Sequence, residues 1–190
     1  MLPPSVCSRL GRNARRSPAG FSLIELMIAL SIAAFLIGIG TPWWGSWIAT
    51  QRLNNHAHHV AETLNLARSE AIKRGTRVNV CKTRDGKECA DEGGWDQGWI
   101  LFVDENDNGR VDDGEPVLHT EPSVEHRITV VGNRPVEDYV SYTALGHARL
   151  LNGALQMGTF LLCKPGQTSI KVVLANSGRA RIEKTPDRCP

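Results

Sequence analysis

The sequence predicts an α+β protein: a long N-terminal helix, membrane-spanning in its first part and amphipathic in its second, packed on a strand-rich, β-sandwich-like head. Three observations support this class: a twenty-residue apolar run, a helical apolar stripe after it, and eight short strand patterns separated by turn residues. An apolar fraction of 41% excludes wholesale disorder, and a net charge of +2 over 190 residues excludes a protein that is basic throughout.

The apolar run is the first element. Fifteen of the twenty residues 21–40 are apolar. As a helix they measure about 30 Å, which just spans the hydrocarbon core of a bilayer. Residues 1–20 before the run carry four arginines and no acid. A cleaved signal peptide is the alternative, but it has a shorter apolar region, of about 7–15 residues. The pattern favours one membrane span, with the head exported from the cytoplasm.

One carboxylate, Glu25, lies inside this run. A charged group within a bilayer is costly unless it is partnered, so Glu25 is a candidate functional residue. The segment Gly20-Phe21-Ser22-Leu23-Ile24-Glu25 resembles the processing site of type IV prepilins. The resemblance implies that a prepilin peptidase removes residues 1–20 as a leader and methylates Phe21. It also implies that Glu25 neutralises the terminal amine of a neighbouring pilin subunit during assembly.

A second helical pattern follows the apolar run and predicts helix up to residue 74. Its apolar stripe recurs every three or four residues, at Leu53, Ala57, Val60, Leu64, Ala67 and Ala71. Gly75 directly after two basic residues is typical of a helix C-terminus. The predicted domains are therefore the leader 1–20, the helix 21–74 and the head 75–190. Three histidines in the helix are expected on its solvated face, because no Cys or acid pattern completes a metal site: His56, His58 and His59.

The remaining chain predicts strands. The eight segments are 78–82, 99–103, 116–119, 127–131, 139–143, 159–163, 170–174 and 179–183. Residues 64–75, 95–104 and 114–118 resemble the FimT/GspH group of minor pilins and pseudopilins. This resemblance implies a helix packed on a β-sandwich-like head, a place at or near a filament tip, and no enzymatic activity. The sequence also contains no common catalytic motif, and the head histidines are scattered: His119, His126 and His147.

Removal of the leader also removes Cys7 and leaves four cysteines. This even number suggests disulfides in an exported domain. Three pairings are possible. Cys81 and Cys89 flank the turn-like Asp85-Gly86, which suits a bridged hairpin, and Cys163 with Cys189 would then tie down the C-terminus. Zinc is the rival explanation, but no C-x-x-C pair is present.

An acidic loop follows the second predicted strand, and residues 104–125 carry a charge of −7. Residues 104–115 match the EF-hand calcium loop, with Gly109 at its sixth position and oxygen-bearing side chains at Asp104, Asn106, Asn108, Asp112 and Glu115. Calcium is therefore a possible cofactor. The alternative is an acidic hairpin turn, because EF-hand loops join helices and this loop joins strands.

The C-terminal residues 141–190 are basic, with seven Lys and Arg against two acids. Gly178-Arg179-Ala180-Arg181 resembles the G-R-x-R element by which FimT-type minor pilins hold DNA. On a strand, Arg179 and Arg181 share one face at a spacing of about 6.6 Å, close to that of successive phosphates. The candidate DNA-binding residues are Gly178, Arg179, Arg181, Lys171, Lys184 and Arg188.

Two functions are consistent with these patterns. The first is a minor type IV pilin that binds double-stranded DNA without sequence preference during natural transformation. The alternative is a structural minor pilin or pseudopilin that primes or caps a type IV pilus or a type II secretion pseudopilus, with no nucleic-acid ligand. Both functions imply other pilin subunits as partners of the N-terminal helix. Both also imply the inner membrane as the location before assembly and the cell surface afterwards.

Overall fold

The computed structural model describes residues 20–124 and 127–189, and of residues 39–44 it describes the backbone only. The predicted leader, apart from Gly20, lies outside the described residues. The chain divides into two compact units, Met1–Pro42 and Trp43–Pro190.

In the first unit, helix α1 (Leu23–Arg74) begins after a serine cap. The Ser22 hydroxyl accepts a hydrogen bond from the Glu25 backbone N–H at 3.3 Å, which satisfies one of the free donors at the helix start. The large apolar side chains described in this part of α1 are exposed. Within the residues that the structure describes, no helix combines the length and the apolar character needed to cross a bilayer. The membrane span over residues 21–40 therefore stays a prediction.

In the second unit, α1 continues to Arg74 and ends where the sequence predicts. Gly75 adopts a left-handed conformation (φ +67°), and its N–H donates to the Ala71 carbonyl at 3.0 Å. All six residues of the predicted apolar stripe are buried. The helical period is therefore confirmed, and the stripe is the face that α1 presents to the core of the head.

The head contains two antiparallel four-stranded sheets, and all eight predicted strand segments overlap an observed strand. The first sheet has the order β3-β2-β1-β5 and the second has the order β4-β6-β7-β8. The strands are β1 (Arg77–Lys82), β2 (Trp99–Asp104), β3 (Val117–Glu121), β4 (Thr129–Gly132), β5 (Tyr139–Tyr142), β6 (Gly158–Cys163), β7 (Thr168–Leu174) and β8 (Ala180–Arg188). A single turn of 3-10 helix, Trp95–Gln97, precedes β2.

One apolar core joins the stripe of α1 to the inner faces of both sheets. Val80 and Leu101 represent the first sheet in this core, and Phe160 and Val172 represent the second. A smaller cluster of Cys81, Ile100 and Phe102 covers the outer face of the first sheet. Strands β1 and β2 are thus buried on both faces, which explains the continuous apolar run of β2 from Trp99 to Val103.

Candidate nucleic-acid interface

The turn between β7 and β8 is built around Gly178. Its N–H donates to the Ala175 carbonyl at 2.9 Å, and the Ala175 N–H donates to the Arg179 carbonyl at 3.0 Å. Gly178 is buried and has φ +79°, and a Cβ atom at this position would overlap the Gly146 carbonyl oxygen. Only glycine fits this conformation and this space, so Gly178 fixes the backbone from which Arg179 and Arg181 project.

Three distant parts of the chain support this turn. Arg68 of α1 donates from Nε to the Gly146 carbonyl at 3.0 Å. The Tyr142 ring lies beneath Gly178, with its Cε1 3.0 Å from the position that a Cβ would take. Burial raises the pKa of the Tyr142 hydroxyl above its ordinary value, and the Arg68 charge only partly opposes this effect. The support is therefore one neutral ring and one half-buried arginine.

The two arginines of the motif lie as the alternation predicts. Arg179 and Arg181 are exposed, whereas Ala180 and Ile182 pack against the main core. Arg181 also forms an ion pair with Glu183, with 2.6 Å between Nε and Oε1. Arg179 forms no ion pair with any residue that the structure describes. The face therefore presents one unpaired guanidinium and one that an exposed acid partly neutralises.

The other predicted basic residues divide into two groups. Lys171 lies opposite Glu183 in the β7–β8 register, so it shares the face of Arg181. Lys184 has the strand parity of Ala180 and Ile182, which assigns it to the other face. Arg188 pairs with Thr168 at the far end of β8. The strand brings Lys171 to the arginines and separates Lys184 and Arg188 from them.

Both favoured disulfides are confirmed. Cys81–Cys89 and Cys163–Cys189 have Cα–Cα distances of 5.5 Å and 5.4 Å. The second bond joins the end of β6 to the residue that follows β8, so it anchors the C-terminal strand to the sheet. The C-terminal segment is thus a fixed strand along its whole length.

The predicted processing site lies at the start of the helix. Gly20 and Phe21 are exposed and precede α1, and Glu25 is exposed in its first turn. A peptide bond that is exposed and lies outside a helix is accessible to a peptidase. Cleavage after Gly20 is compatible with this geometry and stays a prediction.

The acidic loop brings all five predicted oxygen-bearing side chains into one hydrogen-bonded turn between β2 and β3. Asn106 and Asn108 donate to Asp112 Oδ2 at 2.7 Å and 2.6 Å. Glu115 accepts from the Asp112 N–H at 3.2 Å, and Asp104 accepts from the Asn108 N–H at 3.0 Å. The sequence correctly groups these residues, whereas calcium binding stays a prediction.

A cluster of His59, His119 and Glu121 was not expected from the sequence. Glu121 of β3 accepts hydrogen bonds from His59 Nδ1 at 3.0 Å and from His119 Nε2 at 3.1 Å. His58 and His59 are exposed on α1, as the sequence predicts, whereas His56 is half-buried, and strand β3 in addition brings the Glu121 carboxylate against His59. His126 lies outside the described residues.

Burial of the Glu121 carboxyl favours its neutral form. The two imidazole hydrogen bonds outweigh this effect and hold the pKa of Glu121 below its ordinary value. A cavity of about 320 Å³ opens beside the cluster and is also lined by Glu62, Thr63 and Leu66. The cluster links α1 to the edge strand of the first sheet.

Comparisons with known proteins agree with this architecture. Residues 56–178 match the family model of type II transport protein GspH, and residues 15–41 match the prokaryotic N-terminal methylation motif. Pilin-like protein PilA1 of Thermus thermophilus is 30% identical over 174 residues, which cover 86% of this chain and 97% of that protein.

Solved structures resemble the head at lower identity. The type IV minor pilin FimU of Pseudomonas aeruginosa is 21% identical, with a TM-score of 0.51 over 74% of this chain and 92% of FimU. The minor pseudopilin EpsH of the Vibrio cholerae type 2 secretion system is 13% identical, with a TM-score of 0.48 over 72% of this chain and 99% of EpsH. The chain belongs to the GspH family of pilin-like proteins, and its head has the minor-pilin fold.

Proposed function

We propose that this chain is a minor pilin that binds double-stranded DNA without sequence preference through Arg179 and Arg181 during DNA uptake. The observation that carries the proposal is the exposure of two nearby arginines, Arg181 on β8 and Arg179 directly before it, next to a turn that a buried glycine fixes. Residues two apart on an extended chain have Cα atoms about 6.6 Å apart, so their two guanidinium groups can engage successive phosphates of one DNA strand.

The arrangement favours contact with the phosphate backbone and not with base edges. The arginines lie at the start of a strand at the edge of a sheet, where exposed side chains can reach phosphate groups. A patch of two or three cations releases few counterions, so the affinity is modest, about micromolar or weaker at physiological salt, and log K falls with log salt at a slope of only about −1.8 to −2.7. Such affinity suits a subunit that is presented on a filament.

The test is fluorescence anisotropy with a labelled duplex and the full chain in detergent, at low and moderate salt. The double substitution Arg179→Gln with Arg181→Gln should abolish binding and leave the melting temperature within about 2 °C, because both side chains are exposed.

The matched control is Arg84→Gln with Lys87→Gln. Arg84, like Arg181, is exposed and paired with an acid, Glu92, at 3.6 Å, and the net charge changes equally. The control should bind like the wild type. Equal loss in both double variants would contradict a specific patch.

A structural subunit is the second candidate, and the match to type II transport protein GspH favours it. In that case the chain primes or caps a filament and has no nucleic-acid ligand. Absence of binding by the wild type at low salt would select this function.

Both functions include the same maturation. A prepilin peptidase cleaves between Gly20 and Phe21 and methylates Phe21, the chain lies in the inner membrane, and the helix then packs with other pilin subunits. The match of residues 15–41 to the methylation motif supports this sequence of events. Mass spectrometry of membrane-extracted protein should find methylated Phe21 as the N-terminus. An intact leader, or cleavage beyond residue 40, would contradict it.

Glu25→Ala should leave cleavage largely intact and impair assembly, because the terminal amine of a neighbour would lose its counter-charge. Pulldown of partner subunits, together with the mass of the variant, separates the two effects. Loss of cleavage in this variant would assign Glu25 to processing instead.

A further inference from the structure

The acidic loop is seated on the outer face of the first sheet. Val111, the eighth residue of the loop, packs against the cluster of Cys81, Ile100 and Phe102. The Cys81–Cys89 bond lies in the same cluster. The loop is therefore a folded layer over β1 and β2, and its first residue, Asp104, is the last residue of β2.

Asp104 is fully buried, which is unusual for an aspartate. Its carboxylate accepts the N–H groups of Asn108 and Gly109 at 3.0 Å and 2.9 Å, and it accepts the side-chain amide of Asn79. No Lys, Arg or His among the residues that the structure describes forms an ion pair with it, and Arg77, its cross-strand partner on β1, pairs with Asp107 at 2.6 Å instead. A buried carboxylate with hydrogen bonds but no counter-charge is costly, because burial penalises the charged form.

Asn79 gives an independent indication of a ligand. It lies on β1 and is fully buried, and its Nδ2 donates to Asp104 Oδ2 at the inner end of the loop. Its carbonyl oxygen Oδ1 has no hydrogen-bond partner. An unsatisfied buried acceptor typically costs about 1–3 kcal/mol, so such groups are rare unless they serve a purpose. An unpartnered oxygen beside a buried, unpaired carboxylate is an arrangement that a hard cation satisfies.

The other loop side chains supply further oxygens near Asp104. As they stand, no three His, Cys, Asp or Glu side chains among the described residues converge on one point. Two of the five candidate ligands, Asn106 and Asn108, are amides, and both now direct their N–H groups at Asp112. Rotation of each amide by half a turn exchanges its nitrogen for its oxygen, and a cation then takes the place of the two N–H donors.

We propose that the loop binds Ca²⁺ through Asp104, Asn106, Asn108, Asp112 and Glu115, with Asn79 as a further oxygen ligand at the buried end once its amide, like those of the loop, rotates to exchange Nδ2 for Oδ1. Calcium accepts six to eight oxygen ligands of mixed type in a flexible shell, whereas Mg²⁺ demands a near-ideal octahedron and retains water. An exported head meets calcium at extracellular levels, for which modules with Kd of about 0.1–1 mM are suited. The bound ion would supply the counter-charge that Asp104 lacks and fix the loop on the sheet.

The test is calorimetric titration with CaCl2, and melting in parallel, of the full chain in detergent after treatment with EDTA. The wild type should bind one equivalent and gain about 3 °C or more in melting temperature at about 5 mM calcium, with a clearly smaller gain in magnesium. Asp112→Asn should weaken calcium binding by about tenfold or more, and Asp113→Asn, an adjacent acid outside the ligand set, by about twofold at most.

Asn79→Asp tests the buried end separately. Without calcium, the second carboxylate beside Asp104 should lower the melting temperature, and calcium should restore it with a larger gain than in the wild type. A melting temperature that stays low at every calcium concentration would overturn the role of Asn79.

Absence of heat and of stabilisation in the wild type would overturn the whole site. Equal weakening of calcium binding in Asp112→Asn and Asp113→Asn, or equal stabilisation by magnesium, would show that calcium acts by general charge screening. Either result would also overturn the site. Since Asp112→Asn keeps a side-chain acceptor, its melting temperature in EDTA should match the wild type. A lower melting temperature in EDTA would mean that Asp112→Asn is misfolded and that its weaker binding does not report on the site. The calcium response of Asn79→Asp would then decide whether the site exists.

Discussion

The basic hairpin after β7 and the acidic loop after β2 use charge in opposite ways. In the hairpin the turn is held by the backbone of Gly178, the ring of Tyr142 and Arg68 of α1, while the two charges of the motif, Arg179 and Arg181, remain exposed and take no part in that support. In the acidic loop the charged group is itself structural, because buried Asp104 accepts two backbone N–H groups and a side-chain amide. Removal of a hairpin charge should therefore change ligand binding and spare stability, whereas removal of Asp104 should change stability first.

The largest effect should come from the disulfide that fixes the far end of β8. Cys163→Ala with Cys189→Ala should lower the free energy of unfolding by about 3 kcal/mol in chemical denaturation, because the bond closes a long loop. DNA binding below the melting temperature should change by about twofold at most, since Arg188 and the arginine pair lie about 25 Å apart along the strand. A loss of binding equal to that of the double arginine variant would mean that the whole tail forms the interface.

Gly178→Ala should have the next largest effect. The left-handed backbone costs a side chain about 1–2 kcal/mol, and overlap with the Gly146 carbonyl adds to this cost. Gly166→Ala is the matched control, because Gly166 has φ +80° in the β6–β7 turn and has open space around it. The free energy of unfolding should fall by about 2 kcal/mol or more in Gly178→Ala and by about half of that in the control. Equal losses of unfolding free energy in the two variants would show that the Gly146 carbonyl moves aside at no energetic cost.

The elements of the fold could be predicted because their signals are local. The stripe from Leu53 to Ala71 follows the helical period, and alternation over a few residues locates each strand. β8 extends to Arg188, whereas the predicted strand ends at residue 183. The prediction ends too early because the later residues are polar and show no apolar alternation. Only pairing with β7 reveals that part of the strand.

The contacts that build the sites could not be predicted in the same way. The cluster of His59, His119 and Glu121 joins residues 62 positions apart, and nothing local to either segment signals the other. The prediction that the basic residues near the C-terminus form one DNA-binding group rests on their closeness in sequence. The parity and register of β8 separate Lys184 and Arg188 from Arg179, so closeness along the chain was the wrong criterion there.

Glu121 provides an intermediate case, an acid held by side chains and not by backbone. Its folded pKa lies below the ordinary value, so its contribution to stability is present above about pH 4.5 and is lost as pH falls through the folded pKa. The wild type should therefore lose more unfolding free energy than Glu121→Gln as the pH is lowered below that value. The difference should be less than about 1 kcal/mol, because both histidines are half-exposed. Parallel pH curves for the two proteins would contradict this role.

The smallest effect tests whether charge on one face of β8 alone governs binding. Glu183 shares the face of Arg181 and Lys171, and it holds the Arg181 guanidinium at 2.6 Å. Glu183→Gln should release Arg181 and remove a charge that repels phosphate. Because exposed pairs are worth about 0.2–1 kcal/mol, DNA affinity should rise by about 1.5–5-fold.

Lys184→Gln is the opposite control, since Lys184 neighbours Glu183 in sequence and lies on the other face. If Lys184 touches no phosphate, the slope of log K against log salt should stay at the wild-type value in this variant, whereas loss of a phosphate contact lowers the slope by about 0.9. Anisotropy titrations at three salt concentrations measure both quantities. A weaker salt dependence in Lys184→Gln, together with no gain in Glu183→Gln, would mean that DNA senses the net charge of the C-terminal strand and not the face that Gly178 presents.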